Sequence, residues 1–430
     1  MFEGLAGKRL LYLGGVPRAR YVVDRAKKLG IYVIVVDLEA ENSPAKAAAD
    51  EAIYHNAKDV DWLVDLCKEK KIDGIATGYI DFLLPVCREL SDRTGIPYYA
   101  TEGMILQSTD KLYFKRTCEK YGVPVPKTYE IDLKNIESSA KKLSYPVFVK
   151  PRDASGARGA SVCYKAEDLK GAVDFALSFS KRKVITVEEF LEGTEFILDY
   201  IIIDGKAQLM SMADRYSTSD RGKAINNSNL MLLPSKNIDR YLETVDPKVK
   251  AMFEGEKYKD GIIFLQGYVN ENYISFYEME GRLGGTWPFV DEYFHKVNPL
   301  DMMFNQTITG HMIDPGTELT IDARFDGCSS IIYFLSNAKE GKISKIEGLN
   351  EIKSMPEVVS VLEYYHEGDV INAHNLNDVL LIAVHMAFRS YEEMKEKTNY
   401  VYSTLKIFDE NRNSLIAPVI DIDSIKGYSK

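Results

Sequence analysis

Residues 274–285 read ISFYEMEGRLGG. An apolar, aromatic run gives way to Glu278, Glu280 and Arg282, and then to a glycine pair. Side chains alternate along a strand, so the three charged groups share one face. A packed core excludes two carboxylates and a guanidinium unless something pairs them. Gln266 stands upstream in GIIFLQGYV, and the intervening NENY suits a turn between antiparallel neighbours. Gln266, Glu278 and Glu280 would then form the hard-oxygen set that magnesium takes and shares with phosphates. Arg282 adds a planar fork for a phosphate or carboxylate. An ion-pair ladder among the same charges is the competing reading.

Three further clusters lie upstream. YPVFVKP ends a buried strand on Lys150, and ASGARGAS follows, with Ser155, Gly156 and Gly159. Small residues allow tight turns whose amides can face phosphates, although the lysine precedes the glycines and no Walker loop is present. VITVEEFLEGTEF crowds Glu188, Glu189 and Glu195 around Phe190 and Leu191, as a linker that could offer backbone groups and carboxylates to a base and a ribose. STDKLYFK places Lys111 and Lys115 one helical turn apart, facing either a polyphosphate or solvent.

The first hundred residues alternate apolar strands (RLLYLGG, IYVIVVD, IDGIATG, IPYYA) with helices, which predicts a parallel sheet covered on both faces. Ligands of such sheets sit beyond the carboxyl ends of the strands, where Gly15, Thr77, Gly78 and Asp81 fall. LGGVPRAR does not fit the dinucleotide fingerprint. Asp81 either meets an ammonium group or caps the helix that follows. A helix over DKLYFKRTCEKYG is expected, N-capped by Ser108 or Thr109.

With 430 residues, 45% of them hydrophobic and 27% charged, the chain suits a multi-domain globular protein. The net charge of −10 argues against an extended nucleic-acid footprint. No apolar run has the length of a membrane span, and the start lacks a secretory pattern. Five scattered cysteines suit free thiols in the cytoplasm.

In this order, STDKLYFK, YPVFVKPRDASGARGASV, VEEFLEGTEF, GIIFLQGYV and FYEMEGRLGG resemble the ATP-grasp superfamily of ligases. The layout is similar to its biotin carboxylase and carbamoyl-phosphate synthetase branch. The resemblance implies an α/β and α+β protein: an N-terminal parallel-sheet domain (1–107), an ATP-grasp domain (108–330) with a mobile lid lobe at about 125–200, and a C-terminal strand-and-helix domain (331–430). It implies ATP with magnesium, or manganese in its place. Lys111 and Lys150 would face the phosphates, and the loop Ser155, Gly156, Gly159 would close over them. Glu188 and the backbone at Glu189, Phe190 and Leu191 would hold adenine, and Glu195 the ribose. Gln266, Glu278 and Glu280 would hold metal, with Arg282 and Lys150 catalytic. Gly15, Thr77, Gly78, Asp81 and Arg282 would line the substrate pocket. Many relatives have asparagine where this chain has Glu280.

The implied activity is ATP-dependent coupling of a small carboxylate to an amine through an acyl phosphate. One alternative is bicarbonate activation through carboxyphosphate, and another is a nucleotide-binding regulator without turnover. The expected partners are small-molecule carboxylate and amine substrates, with no nucleic acid or membrane and with a homodimer left open.

Overall fold

The computed structural model describes residues 2–16, 19–39, 43–152, 158–218, 228–284, 288–338, 340–372 and 379–428. Among them, no helix is long and apolar enough to cross a membrane. All five cysteines are buried and unbridged.

The first sheet has four parallel strands in the order Glu51–Tyr54, Tyr32–Asp37, Arg9–Leu13, Gly74–Ala76. Its two middle strands are almost wholly buried, which is why they read as unbroken apolar runs. One expected strand is corrected. IPYYA, residues 96–100, is not a strand, and Glu51–Tyr54 supplies the outer one instead. Pro97 lacks a ladder donor, and the edge of Gly74–Ala76 is taken by a side chain. Thr307 Oγ1 accepts from Ile75 N–H at 2.7 Å and lies 2.8 Å from Ile75 O and 2.9 Å from Pro97 O.

A second, antiparallel sheet of eight strands runs Ile274–Glu280, Gly261–Val269, Thr194–Ile203, Lys206–Tyr216, Leu230–Leu233, Cys328–Leu335, Leu380–Phe388, Val358–Glu363. It therefore draws strands from both sides of residue 330. The hairpin between Ile203 and Lys206 turns on Asp204 and Gly205, both at positive φ, as a tight two-residue turn requires. Gln266 and Glu278 are register partners, as the NENY spacing predicts.

A third, four-stranded sheet forms a small lobe, ordered Thr128–Tyr129, Ile185–Glu189, Val147–Pro151, Ser161–Cys163. The helix Leu169–Phe179 packs on it around Val147, Val149, Val173 and Val187. The helix after Asp110 is Lys111–Lys120, and its cap is also corrected. Asp110, not Ser108 or Thr109, accepts from Leu112 N–H (2.9 Å) and Tyr113 N–H (3.1 Å). Ser108 and Thr109 close a separate helix, Glu102–Thr109, which Thr101 caps.

The first and second sheets are tied by Arg25 on the helix Arg20–Lys28. Its guanidinium reaches Asp301 Oδ2 at 2.5 Å and Glu292 Oε1 at 2.8 Å. Asp301 is 4% exposed, so it depends on this partner. Arg25→Met is expected to lower unfolding free energy by about 2 kcal/mol in urea titration, a buried-pair loss discounted for the partial exposure of Arg25. Lys8→Met, which removes the exposed Lys8–Asp73 pair, is expected to change it little.

Candidate active site

The turn NENY delivers Glu278 and Glu280 to one end of the large sheet, beside the helix Lys111–Lys120. Lys111 Nζ lies 3.0 Å from Glu278 Oε1. Gln266 faces Glu278 across the ladder. The amide orientation that satisfies its neighbours sends its nitrogen to Glu278 Oε2 at 3.2 Å and its oxygen to Arg215 Nη1 at 3.1 Å. Gln266 would have to turn its amide to ligate a metal through oxygen.

Arg282 reaches from the strand's end to Asp81, beyond the carboxyl end of the parallel sheet. Its Nε and Nη2 donate to Asp81 Oδ1 and Oδ2 at 2.5 and 2.9 Å, a bidentate pair, and Nη2 lies 3.6 Å from Glu280 Oε2. The guanidinium stacks on Phe264, 5.0 Å from the ring centroid. Burial pushes the Glu280 carboxyl well up. Arg282 pulls it back, but the hydrogen bond to Asp81 and the charges of Glu278 and Asp81 keep it high. Burial also raises Asp81, and there Arg282 and the bond from Glu280 outweigh it and hold the group low. The two carboxyls are thus pushed in opposite directions, Glu280 up and Asp81 down. Its Oε2 is buried without a hydrogen-bond partner. An oxygen-only set with one orphaned carboxyl oxygen fits a magnesium ion, which would lower Glu280 as it binds. Among the described residues, no group of three His, Cys, Asp or Glu side chains stands ready as a metal cage, and the set here needs its glutamine or a substrate oxygen.

The lobe contributes a second cluster. Glu188 is nearly sealed between Lys115 Nζ (2.8 Å) and Lys150 Nζ (3.1 Å). Lys115 also donates to Thr128 Oγ1 at 3.0 Å and Pro126 O at 3.3 Å. Burial pushes Glu188 up, and the two ammonium groups outweigh this and hold it below the usual carboxylate range. Burial lowers Lys115, against the pull of Glu188. Lys111 is raised, chiefly by Glu278. The Glu189 and Phe190 amides donate inside the lobe, to Lys127 O (2.9 Å) and Pro146 O (3.4 Å), and Leu191 is buried.

Glu195 accepts from Arg215 Nη1 at 2.9 Å and from Tyr277 O–H at 2.6 Å. Beside it opens a cavity of about 440 Å³, walled by Glu195, Arg215, Thr218, Lys236, Tyr268 and Lys426 among others. Its volume suits a small molecule.

The residues expected at the carboxyl ends of the parallel strands are tied into local packing and pairing. Gly15 N–H donates to Asp37 Oδ2 at 2.8 Å. A Cβ on Gly78 would fall 2.4 Å from the Tyr12 hydroxyl, so only glycine fits there. Thr77 Oγ1 is buried without a partner. Asp81 grips Arg282, a role that neither sequence alternative named. Of the glycine loop, Gly159 packs on Phe179 and Pro151 at φ +76°, while Ser155 and Gly156 lie outside the described residues. Arg215 escaped the sequence reading because nothing local marks a strand arginine as a cleft residue.

Residues 110–284 match the family described as carbamoyl-phosphate synthase L chain, ATP binding domain. The carbamoyl phosphate synthase large chain of Clostridium beijerinckii is 24% identical over 266 residues, 61% of this chain and 24% of that one. The chain spans about a quarter to a half of the length of the first curated relatives it matches. Phosphoribosylglycinamide synthetase from Anaerococcus prevotii superposes with a TM-score of 0.75 at 20% identity, over 94% of this chain and 100% of that one. The biotin carboxylase domain of Hydrogenobacter thermophilus 2-oxoglutarate carboxylase gives 0.75 at 20% identity, over 95% and 91%.

Glu188→Gln would strand two buried ammonium groups, at a cost of about 3–5 kcal/mol in urea unfolding. Glu188 is depressed in the folded state, so its contribution is full above the unfolded carboxylate pKa of about 4.3. It is lost as pH falls through the lower folded value. The stability difference between wild type and Glu188→Gln is therefore expected to shrink below about pH 4. The N-terminal parallel sheet, the small lobe, the antiparallel sheet and the matched segment together give this chain a fold similar to that of the phosphoribosylglycinamide synthetase and the biotin carboxylase domain, and residues 110–284 resemble the carbamoyl-phosphate synthase ATP-binding domain.

Proposed function

We propose that this chain is an ATP-dependent enzyme that activates a carboxyl substrate by phosphorylation, with bicarbonate as that substrate and carboxyphosphate as the product of the first step. The observation that supports it is the meeting of Lys111, Gln266, Glu278, Glu280, Arg282 and Asp81 at one strand end. The comparisons lean toward bicarbonate, since a carbamoyl phosphate synthase and a biotin carboxylase domain solved with magnesium ADP and bicarbonate are among the likenesses. The coupling of a small carboxylate to an amine, the first expectation from sequence, becomes the second reading. The paired charges of Asp81 and Arg282, complementary to a zwitterion, and the likeness to phosphoribosylglycinamide synthetase favour it.

In this proposal Lys111 and Lys150 face the phosphates, and Glu188 with the backbone at Glu189–Leu191 holds adenine. Glu195 holds the ribose, while Gln266, Glu278 and Glu280 hold magnesium or manganese. Magnesium, when bound, neutralises phosphate oxygens and orients the γ-phosphoryl group. Arg282 steadies charge on the transferred group and on the attacking carboxylate. Because Lys111 and Lys150 are already paired with Glu278 and Glu188, nucleotide binding exchanges ion pairs rather than filling open cationic sites. Gly15, Thr77, Gly78 and Asp81 form the far wall, next to the carboxyl substrate. The division at 107 and 330, the lid role of residues 125–200 and a cytoplasmic location are part of the same proposal. A regulator without turnover is disfavoured because the phosphate lysines, the carboxylates and the arginine are all present and assembled.

ADP release is expected with ATP, magnesium and bicarbonate alone, with one ¹⁸O passing from labelled bicarbonate to phosphate. Release that needs both a carboxylate and an amine, and ignores bicarbonate, would transfer the assignment to the second reading. No release under either condition would remove both. Glu278→Gln is expected to lower turnover at least about 100-fold while changing ATP affinity far less, since metal-assisted stabilisation acts on the transition state.

A further inference from the structure

Two buried aspartates lie on the same sheet face as this site but outside it. Asp199, in the strand Thr194–Ile203, is 6% exposed, and Asp291, in the helix Pro288–His295, is 0% exposed. Asp199 Oδ2 has no hydrogen-bond partner, and the Asp291 carboxyl meets only the Ser211 hydroxyl. Both residues line one small space of about 10 Å³, together with Met210, Leu283, Gly284 and Pro288. That is room for one water-sized particle. Ser211, the register partner of Asp199, brings a hydroxyl alongside Asp291. Among the described residues, no lysine, arginine or histidine acts on either carboxyl; burial pushes each up, and the charge of Asp291 adds to the rise at Asp199.

Orphaned carboxyl oxygens in a buried site are costly, and the remedies are a basic partner, a proton or a metal ion. The first remedy is missing here. We propose that Asp199 and Asp291 hold one hard cation between them, with Ser211 Oγ beside it, and that this cation pins the helix Pro288–His295 to the sheet. The donors are all oxygen. The space leaves no room for a hydration shell, which favours calcium, sodium or potassium over the tightly hydrated magnesium. Two carboxylates balance the charge of a divalent ion.

The site is distinct from the Gln266–Glu278–Glu280 set. Asp199, Phe264 and Glu280 are successive register partners across three strands, so the Phe264 residue separates the two acidic groups. Arg282 stacks on that same ring, and a few residues join Arg282 to Pro288. A cation anchoring the helix would therefore steady the segment that carries Arg282. The inference does not depend on the nucleotide or on the substrate.

The test uses the full chain without nucleotide, stripped with chelator and dialysed. Metal content and thermal unfolding are then measured in calcium, magnesium, sodium and potassium chlorides at matched ionic strength. The expected result is one bound cation per chain and a rise in Tm of about 3 °C or more, largest with calcium. The rise should persist in Glu278→Gln and fall below about 1 °C in Asp199→Asn and Asp291→Asn. Should either aspartate variant fail to fold, Ser211→Ala is expected to weaken cation affinity about tenfold, and the wild-type stoichiometry stands alone. The proposal is overturned if no cation binds wild type, if the rise survives both aspartate substitutions, or if it disappears in Glu278→Gln. It is also overturned if Asp291→Asn is more stable than wild type in every buffer, which would make the pair a store for a proton.

Discussion

The bidentate grip of Arg282 on Asp81 joins two parts of the chain 201 residues apart at one point of the cleft. Asp81 stands beyond the carboxyl end of the parallel sheet, and Arg282 just past the edge strand of the antiparallel one. The pair is one of the ties between the two sheets, alongside Arg25 with Glu292 and Asp301. It also sets the electrostatics around it, because the guanidinium pulls Asp81 down while burial and the neighbouring carboxyls push Glu280 up. A fork is required, since a lysine could not span both oxygens of Asp81 while lying flat on Phe264. The charged end of ISFYEMEGRLGG is thus explained: the charges stay largely buried because Arg282 pairs with Asp81 and lies beside Glu280 where the strand ends.

The lobe applies the same logic with the signs reversed. One carboxylate, Glu188, satisfies two ammonium groups, and none of the three is exposed enough for water to help. Such a cluster contributes little net stability compared with an apolar core, but it is intolerant of losing a member. In both clusters the groups expected to meet ATP are already neutralised by neighbours. On the proposed function, nucleotide binding would exchange one partner of each lysine for another rather than fill an open cationic site.

Much of this was legible because it is local. The parallel sheet follows from apolar runs between helices, and the pairing of Gln266 with Glu278 follows from the length of NENY. What the sequence hid is mostly long-range. Lys115 and Glu188 are 73 residues apart, and nothing near either signals the other. The strand Glu51–Tyr54 alternates in exposure and lacks the apolar run that marked its neighbours, whereas IPYYA looks like a strand but has its edge filled by Thr307. Asp199 did leave a trace, as a lone carboxylate inside EFILDYIII. Its meaning depended on Asp291, which arrives from a different element.

The central claim is that the cleft between the lobe and the large sheet takes ATP with magnesium. Isothermal titration calorimetry of the full chain with ATP, with and without magnesium, tests it most directly. The account predicts one site per chain that tightens at least about tenfold when magnesium is present, because the metal exchanges for the Lys111–Glu278 pair and relieves the crowded carboxylates. No heat of binding at millimolar ATP in either condition would contradict it.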